Sequence, residues 1–171
     1  MTTIALQPFS TPFGELVLGA IDNQLCLCHW YGQKNSKQLY RRLTRHLNAD
    51  MQKMTSPVFT QTVDQLNDYF QQRRTAFNLP LKLVGTDFQQ QVWQQLRHVP
   101  YGHTISYQQL AEQVDNKAAV RAVANANAAN ALAIIIPCHR IIGSNGQLTG
   151  YAGGLQAKQG LLNLEKPDQN I

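Results

Sequence analysis

An α+β fold in two units is what this sequence predicts, and three observations carry the prediction. Strand-leaning runs broken by turn residues open the first half. Helical periodicity with capping residues dominates the second. Between them, at Gly85-Thr86, the character of the chain changes. We therefore expect a small N-terminal α/β domain over residues 1–84. A mostly helical domain over residues 85–171 should carry the reactive segment.

The elements follow in order. GELVLGA (14–20) and QLCLCHW (24–30) lean toward strands on either side of IDN, a hairpin turn. A basic amphipathic helix is expected near residues 37–47, where Lys34, Lys37, Arg41 and Arg45 recur at helical spacing. A second is expected near residues 58–72, with Val63, Leu66, Tyr69 and Phe70 on one face. AFNLPLKLV (76–84) reads as an extended segment, and Pro80 places it at an edge. In the second half, TDFQQQVWQQLRHV (86–99) predicts a helix capped by Thr86 or Asp87, with Phe88, Val92, Trp93 and Leu96 inward. SYQQLAEQV (106–114) predicts another with Ser106 as its N-cap, and AAVRAVANANAAN (118–130) a third. The short turn between these two marks a helix-turn-helix. ALAIII (131–136) reads as a buried strand ended by Pro137. GLQAKQGLLNLE (154–165) reads as a final helix with Leu155, Leu161 and Leu162 inward.

Composition narrows the class. Of 171 residues, 43% are hydrophobic, enough for a core, and 15% are charged, below the roughly 25% of typical soluble domains. Net charge is +5; residues 1–84 hold nine Lys/Arg against five Asp/Glu, and residues 85–171 hold six against five. That balance leans mildly toward an anionic partner. A solvated basic helix is the simpler account of the excess, so charge alone does not establish nucleic-acid binding. The cysteines are three (Cys26, Cys28, Cys138). MTTIALQPFSTPFGELVLGA lacks the charged and apolar regions of a signal peptide, and no apolar run approaches the roughly 20 residues of a membrane span. A reducing, cytoplasmic setting without membrane association is expected. Cys26 and Cys28 share one face of a strand while His29 points away, so the spacing does not recommend a metal. We expect neither metal nor cofactor.

The chemistry concentrates in AIIIPCHRIIG (133–143). Three polar, reactive residues inside an apolar run are costly to bury unless paired or used. Cys138 is placed at the end of a strand, and cooperation with His139 requires the chain to turn there or a water to bridge them. A nearby histidine can take a thiol proton, and a carboxylate can hold that histidine in one tautomer. Only Glu165 and Asp168 follow His139, and Glu165, on the final helix, is the better candidate. A lone buried cysteine is usually an inert small hydrophobe; the Cys-His-Arg sequence between isoleucine runs shifts the balance toward chemistry. The loop GSNGQLTGYAGG (143–154) that follows contains Tyr151, which either walls a flat pocket or covers the core.

IPCHRIIGSNGQLTGYAGG, preceded by SYQQLA and AVRAVANANAAN, closely resembles the O6-alkylguanine-DNA alkyltransferases over most of residues 86–165. The first half resembles that family only in size and strand–helix order. The resemblance implies a ribonuclease H-like N-terminal domain and a winged-helix-like, helix-turn-helix C-terminal domain with the active site. It implies repair of O6-alkylguanine, extending to O4-alkylthymine, by irreversible transfer of the alkyl group to Cys138, once per molecule. His139 becomes the base acting through a water, and Glu165 the residue that orients it. Asn130 ties the recognition helix to the active-site strand. Tyr107 lies near the flipped nucleotide's phosphate and protonates the departing guanine, while Arg121 fills the gap left in the duplex. The carbonyls of Cys138 and Ile141 accept from the guanine amino group, Tyr151 walls the pocket, and the Ala152 N–H faces O6. The partner is double-stranded DNA, held in the minor groove by a helix whose Ala118, Ala119, Ala122, Ala126 and Ala129 are small enough to enter, and the protein acts as a monomer. With so weakly charged a C-terminal half, few phosphate contacts and a modest salt dependence are expected there. The chain departs from the family pattern at Ala124, Ala131, Ala152 and Gly160. A cysteine hydrolase using the same three residues, and a lesion sensor without chemistry, are the rival readings. The first would turn over repeatedly; the second would not need Cys138.

Overall fold

A computed structural model describes residues 2–166, and the chain divides into two compact units between Val84 and Gly85. In the first, β1 (Thr2–Thr11), β2 (Gly14–Ile21) and β3 (Gln24–Trp30) form an antiparallel meander. Asp22 and Asn23 make the β2–β3 turn at φ 51° and 58°, the left-handed pair that a two-residue hairpin needs. After α1 (Ser36–Leu47), β4 (Ala49–Lys53) pairs parallel with β1, giving the sheet order β3-β2-β1-β4. β1 and β4 lie outside the strands expected from the sequence. Pro8 is tolerated in β1 because β4 pairs only as far as Leu6, and β4 is a short polar edge of the kind that resists further pairing.

Helix α1 buries Leu39 and Leu43. Helix α2 (Pro57–Phe70) starts on proline and buries Val58, Phe59, Thr62, Gln65, Leu66 and Tyr69. Its inner stripe is rotated from the expected one, for Val63 and Phe70 are only half-buried. The Gln65 amide donates to the Asn78 carbonyl and accepts from the Asn78 N–H, both at 2.9 Å. That pairing fastens the return segment, whose Leu81 bridges Leu25; the Leu25 N–H donates to the Pro80 carbonyl at 2.8 Å. Residues 80–82 therefore run along the edge of β3, as Pro80 implied.

Buried in β3, His29 has a ring nitrogen 3.1 Å from the Ser36 hydroxyl. Burial lowers its pKa from 6.5 to about 4. The unfolded imidazole takes a proton near pH 6.5 and the folded one only near pH 4, so stability falls as pH falls through that window. We expect roughly 2 kcal/mol less stability at pH 5 than at pH 7 from this one residue. Urea unfolding of wild type and His29→Gln at the two pH values checks this: the variant should lose less on acidification.

In the second unit, Thr86 and Gln89 form a capping box at the start of α3 (Asp87–Leu96). Ser106 and Gln109 form another at α4 (Tyr107–Gln113). Each satisfies two N–H groups that a helix start leaves unpaired. Helix α5 (Val120–Ala128) is shorter than the 118–130 expected and has no side-chain cap. The Trp93 indole N–H of α3 donates to the Ala126 carbonyl of α5 at 2.8 Å. β5 (Ile105–Ser106) pairs parallel with β6 (Ile141–Ile142). Helix α6 (Leu155–Leu164) buries Leu161 and Leu162, but Leu155, expected inward, is 49% exposed. Among the described residues, no helix is long and apolar enough to cross a membrane.

Candidate active site

Between α5 and β6 every residue from 130 to 141 is buried, yet 131–136 is not the expected strand. The segment folds on itself instead. The Ile135 N–H donates to the Ala133 carbonyl and the Ile136 N–H to the Leu132 carbonyl, both at 2.8 Å, and Ile134 sits at φ 73°. A β-branched residue in that region is strained, and the Asn130 side chain is what holds it there. Its Oδ1 accepts from the Leu132 N–H at 3.0 Å and its Nδ2 donates to the Ile136 carbonyl at 2.8 Å. Pro137 then leads into a single 3₁₀ turn, Cys138–Arg140, rather than a strand end. Successive side chains in such a turn diverge by about 120° rather than 180°, so the chain makes the bend that cooperation of Cys138 and His139 needs.

The carboxylate is Glu165, the C-cap of α6, buried at 4% exposure; Asp168 lies outside the described residues. His139 Nε2 is 2.8 Å from Glu165 Oε2. Arg140 Nε donates to Glu165 Oε1 at 2.9 Å and Nη2 to Oε2 at 3.0 Å, while Nη1 donates to the Val99 carbonyl at 2.7 Å. The Tyr101 ring lies 5.8 Å from the guanidinium carbon. Gly102, at φ 79°, leaves only 3.1 Å between the Glu165 carbonyl and the point where a Cβ would stand, so a side chain here would be strained in its backbone and crowd that carbonyl.

Charge follows from that geometry. Burial alone would raise the Glu165 carboxyl, but His139 and Arg140 together hold it well below the usual carboxylate range. Burial lowers the His139 pKa despite Glu165, so the imidazole is neutral beside an ionised carboxylate. Its proton therefore sits on Nε2, donated to Glu165, and Nδ1 is the basic nitrogen. Nδ1 is buried with no hydrogen-bond partner. Burial also pushes the Cys138 thiol up, with the Asn130 side chain and the Lys158 ammonium pulling it back. The resting cysteine is a thiol, and the unsatisfied base for its proton is one residue away in the chain.

Other expected residues fall as follows. Tyr107 is the half-buried first residue of α4, directly after the strand that pairs with β6. Tyr151 and Ala152 are half-buried on the loop before α6. Arg121 and Ala122 are exposed on α5 and Ala119 half-buried at its start. Ala126 is a correction: at 2% exposure, with its carbonyl taken by Trp93, it faces the core. The outer face of α5 is Arg121, Ala122, Asn125 and Ala128. The Ile141 carbonyl is already an acceptor, 2.6 Å from Lys158 Nζ, which also donates to the Thr149 carbonyl at 2.8 Å. Lys158, fully buried, and Arg140 received no role from the sequence. Their signal was present: Arg140 lies inside the reactive tripeptide, and Lys158 occupies an inward position of α6. Among the described residues, no group of three or more potential ligands could hold a metal.

Two family models match the chain: 6-O-methylguanine DNA methyltransferase, ribonuclease-like domain, over residues 6–83, and the DNA binding domain of the same name over residues 87–167. A Mycobacterium bovis methylated-DNA–protein-cysteine methyltransferase is 54% identical over 108 residues, 63% of this chain and 66% of that protein, just under two thirds of its length. The constitutive enzyme of that name from Bacillus subtilis is 40% identical over 162 residues, 91% of this chain and 92% of that protein. A crystal structure of Mycobacterium tuberculosis OGT in complex with DNA is 39% identical, covers 97% of this chain and 94% of that one, and superimposes with a TM-score of 0.81. With both units matched by models of one enzyme and a relative aligned over nearly its whole length, the chain belongs to the methylated-DNA–protein-cysteine methyltransferase family.

Proposed function

We infer that this protein repairs O6-alkylguanine in duplex DNA by moving the alkyl group onto Cys138. The observation that carries this reading is the tautomer lock: Glu165 accepts the Nε2 proton of His139 and leaves Nδ1 as an unsatisfied buried base on the residue that follows a buried thiol. A lesion stacked in the duplex is out of reach, so the nucleotide is flipped into the site. The Cys138 thiol proton passes to Nδ1 through a water. Sulfur attacks the alkyl carbon, the carbon–O6 bond breaks, and the electron pair stays on guanine, which takes a proton from the Tyr107 hydroxyl. The Ala152 N–H stabilises charge building on O6. O4-alkylthymine presents the same kind of carbon–oxygen bond and is included in the reading. The product is a thioether with no leaving group, so one molecule repairs one lesion.

The small outer face of α5, with Arg121 its long cationic arm, suits the minor groove. Three free cysteines suit a reducing, cytoplasmic setting, and the protein acts as a monomer. Reaction with a molar excess of duplex carrying one O6-methylguanine tests the stoichiometry. Lesion loss should stop at one per protein. Continued turnover would instead favour a hydrolytic cysteine, and no loss at all would overturn the repair reading.

A further inference from the structure

The catalytic account leaves the cations of α1 unused. Lys37, Arg41 and Arg45 lie four residues apart on the face opposite Leu39 and Leu43, all exposed, with exposed Lys34 just before the helix. They span about 12 Å along the helix axis. The helix dipole favours Arg45, in the last turn, but helix stability does not account for Lys37 and Arg41. The first turn of α1 holds no acidic residue, so Lys37 sits at the positive end of the helix dipole, and like charges four residues apart repel. Nor are they neutralised. The ion pairs among the described residues join Arg73 and Arg74 to Asp68, and His139 and Arg140 to Glu165. Lys37 at the positive end and the repulsion along the stripe go uncompensated, which marks this face as a surface for an anionic partner.

The second unit sharpens the point. Of its six Lys/Arg, Arg140 and Lys158 are buried, and α5 offers Arg121 alone. We propose that the outer face of α1 binds the phosphodiester backbone of duplex DNA, independent of sequence and lesion, and supplies much of the protein's electrostatic affinity. The choice of DNA as occupant rests on the repair reading; the charge complementarity does not.

The test uses the full chain, a lesion-free duplex and binding constants between 50 and 200 mM salt. Each lost phosphate contact should flatten the log–log salt slope by about 0.9. Lys37→Gln/Arg41→Gln/Arg45→Gln should therefore be shallower than wild type by about 2 to 3, and weaker by about tenfold or more at the lowest salt. Arg41→Lys/Arg45→Lys should keep the wild-type slope. Single-turnover transfer at saturating lesion DNA should be unchanged in the triple variant, and its melting temperature close to that of wild type, since the relieved repulsion offsets the lost last-turn cation. Coincident salt curves for the triple variant and wild type overturn the proposal while leaving the repair reading intact. A wild type that binds no DNA overturns both.

Discussion

Glu165→Ala should be the most damaging single substitution in the second unit, costing about 3–5 kcal/mol of stability and abolishing alkyl transfer. The carboxylate satisfies the Nε and Nη2 of Arg140 and the Nε2 of His139 at 2.8 to 3.0 Å, with its side chain fully buried. Deleting it leaves a guanidinium in the core facing no anion, and that uncompensated charge is the source of the cost. Replacing both charges with apolar groups removes the penalty. Glu165→Leu/Arg140→Met should therefore regain most of the lost stability in urea unfolding and still transfer nothing, because His139 has lost the group that fixes its tautomer. Recovery of transfer in that double variant would contradict the role given to Glu165. The pH dependence has a definite sign. Because the folded carboxyl is held below its ordinary value, its contribution is complete above about pH 4.3 and disappears as pH falls further. Wild type should lose more stability than the double variant below that point.

Asn130→Ala is the second large effect. The substitution strips the buried Leu132 N–H of its partner and leaves the Ile136 carbonyl with the Cys138 N–H alone, at 2.8 Å. An unsatisfied buried polar group costs about 1–3 kcal/mol, and the lost bond to the Ile136 carbonyl adds about 1 kcal/mol. The same bonds hold the turn that delivers Cys138, so transfer should slow beyond what the unfolded fraction explains. Single-turnover rates measured well below the melting temperature separate the two. An Asn130→Ala protein that is folded and as fast as wild type would show that the turn positions itself without this side chain.

That turn also marks where sequence reasoning reached its limit. Side chains that act on their own local backbone were legible: Ser106 caps the helix assigned to it, Thr86 is the cap of the two residues offered for the helix before it, and Asp22-Asn23 turn the hairpin. Cys138, His139 and Glu165 were legible because reactive groups are conspicuous in an apolar run and acids are scarce after it. The run ALAIII was read as a strand because β-branched residues pack well on a pleated surface. A single asparagine outweighs that preference by offering the backbone nearer partners at both ends of the segment. β1 and β4 were missed for the opposite reason, since one carries proline and the other is polar, and pairing with a neighbour makes each a strand. Ala126 was misplaced because alanine gives no clue to which side of a helix is buried; Trp93 decides it from another helix. Arg140 stands out in the apolar run as a residue needing a partner, but only the fold shows that the partners are Glu165 and the Val99 carbonyl; Lys158 reads as a solvent-facing residue, and only its tertiary partners explain its burial.

The most direct test is the mass of the intact protein after reaction with duplex DNA containing a single O6-methylguanine, followed by peptide mapping. The account predicts a gain of one methylene per molecule, carried on the peptide containing Cys138, absent from Cys26 and Cys28, and absent altogether in Cys138→Ala. An unchanged mass with the lesion intact, in folded and reduced protein, would contradict it.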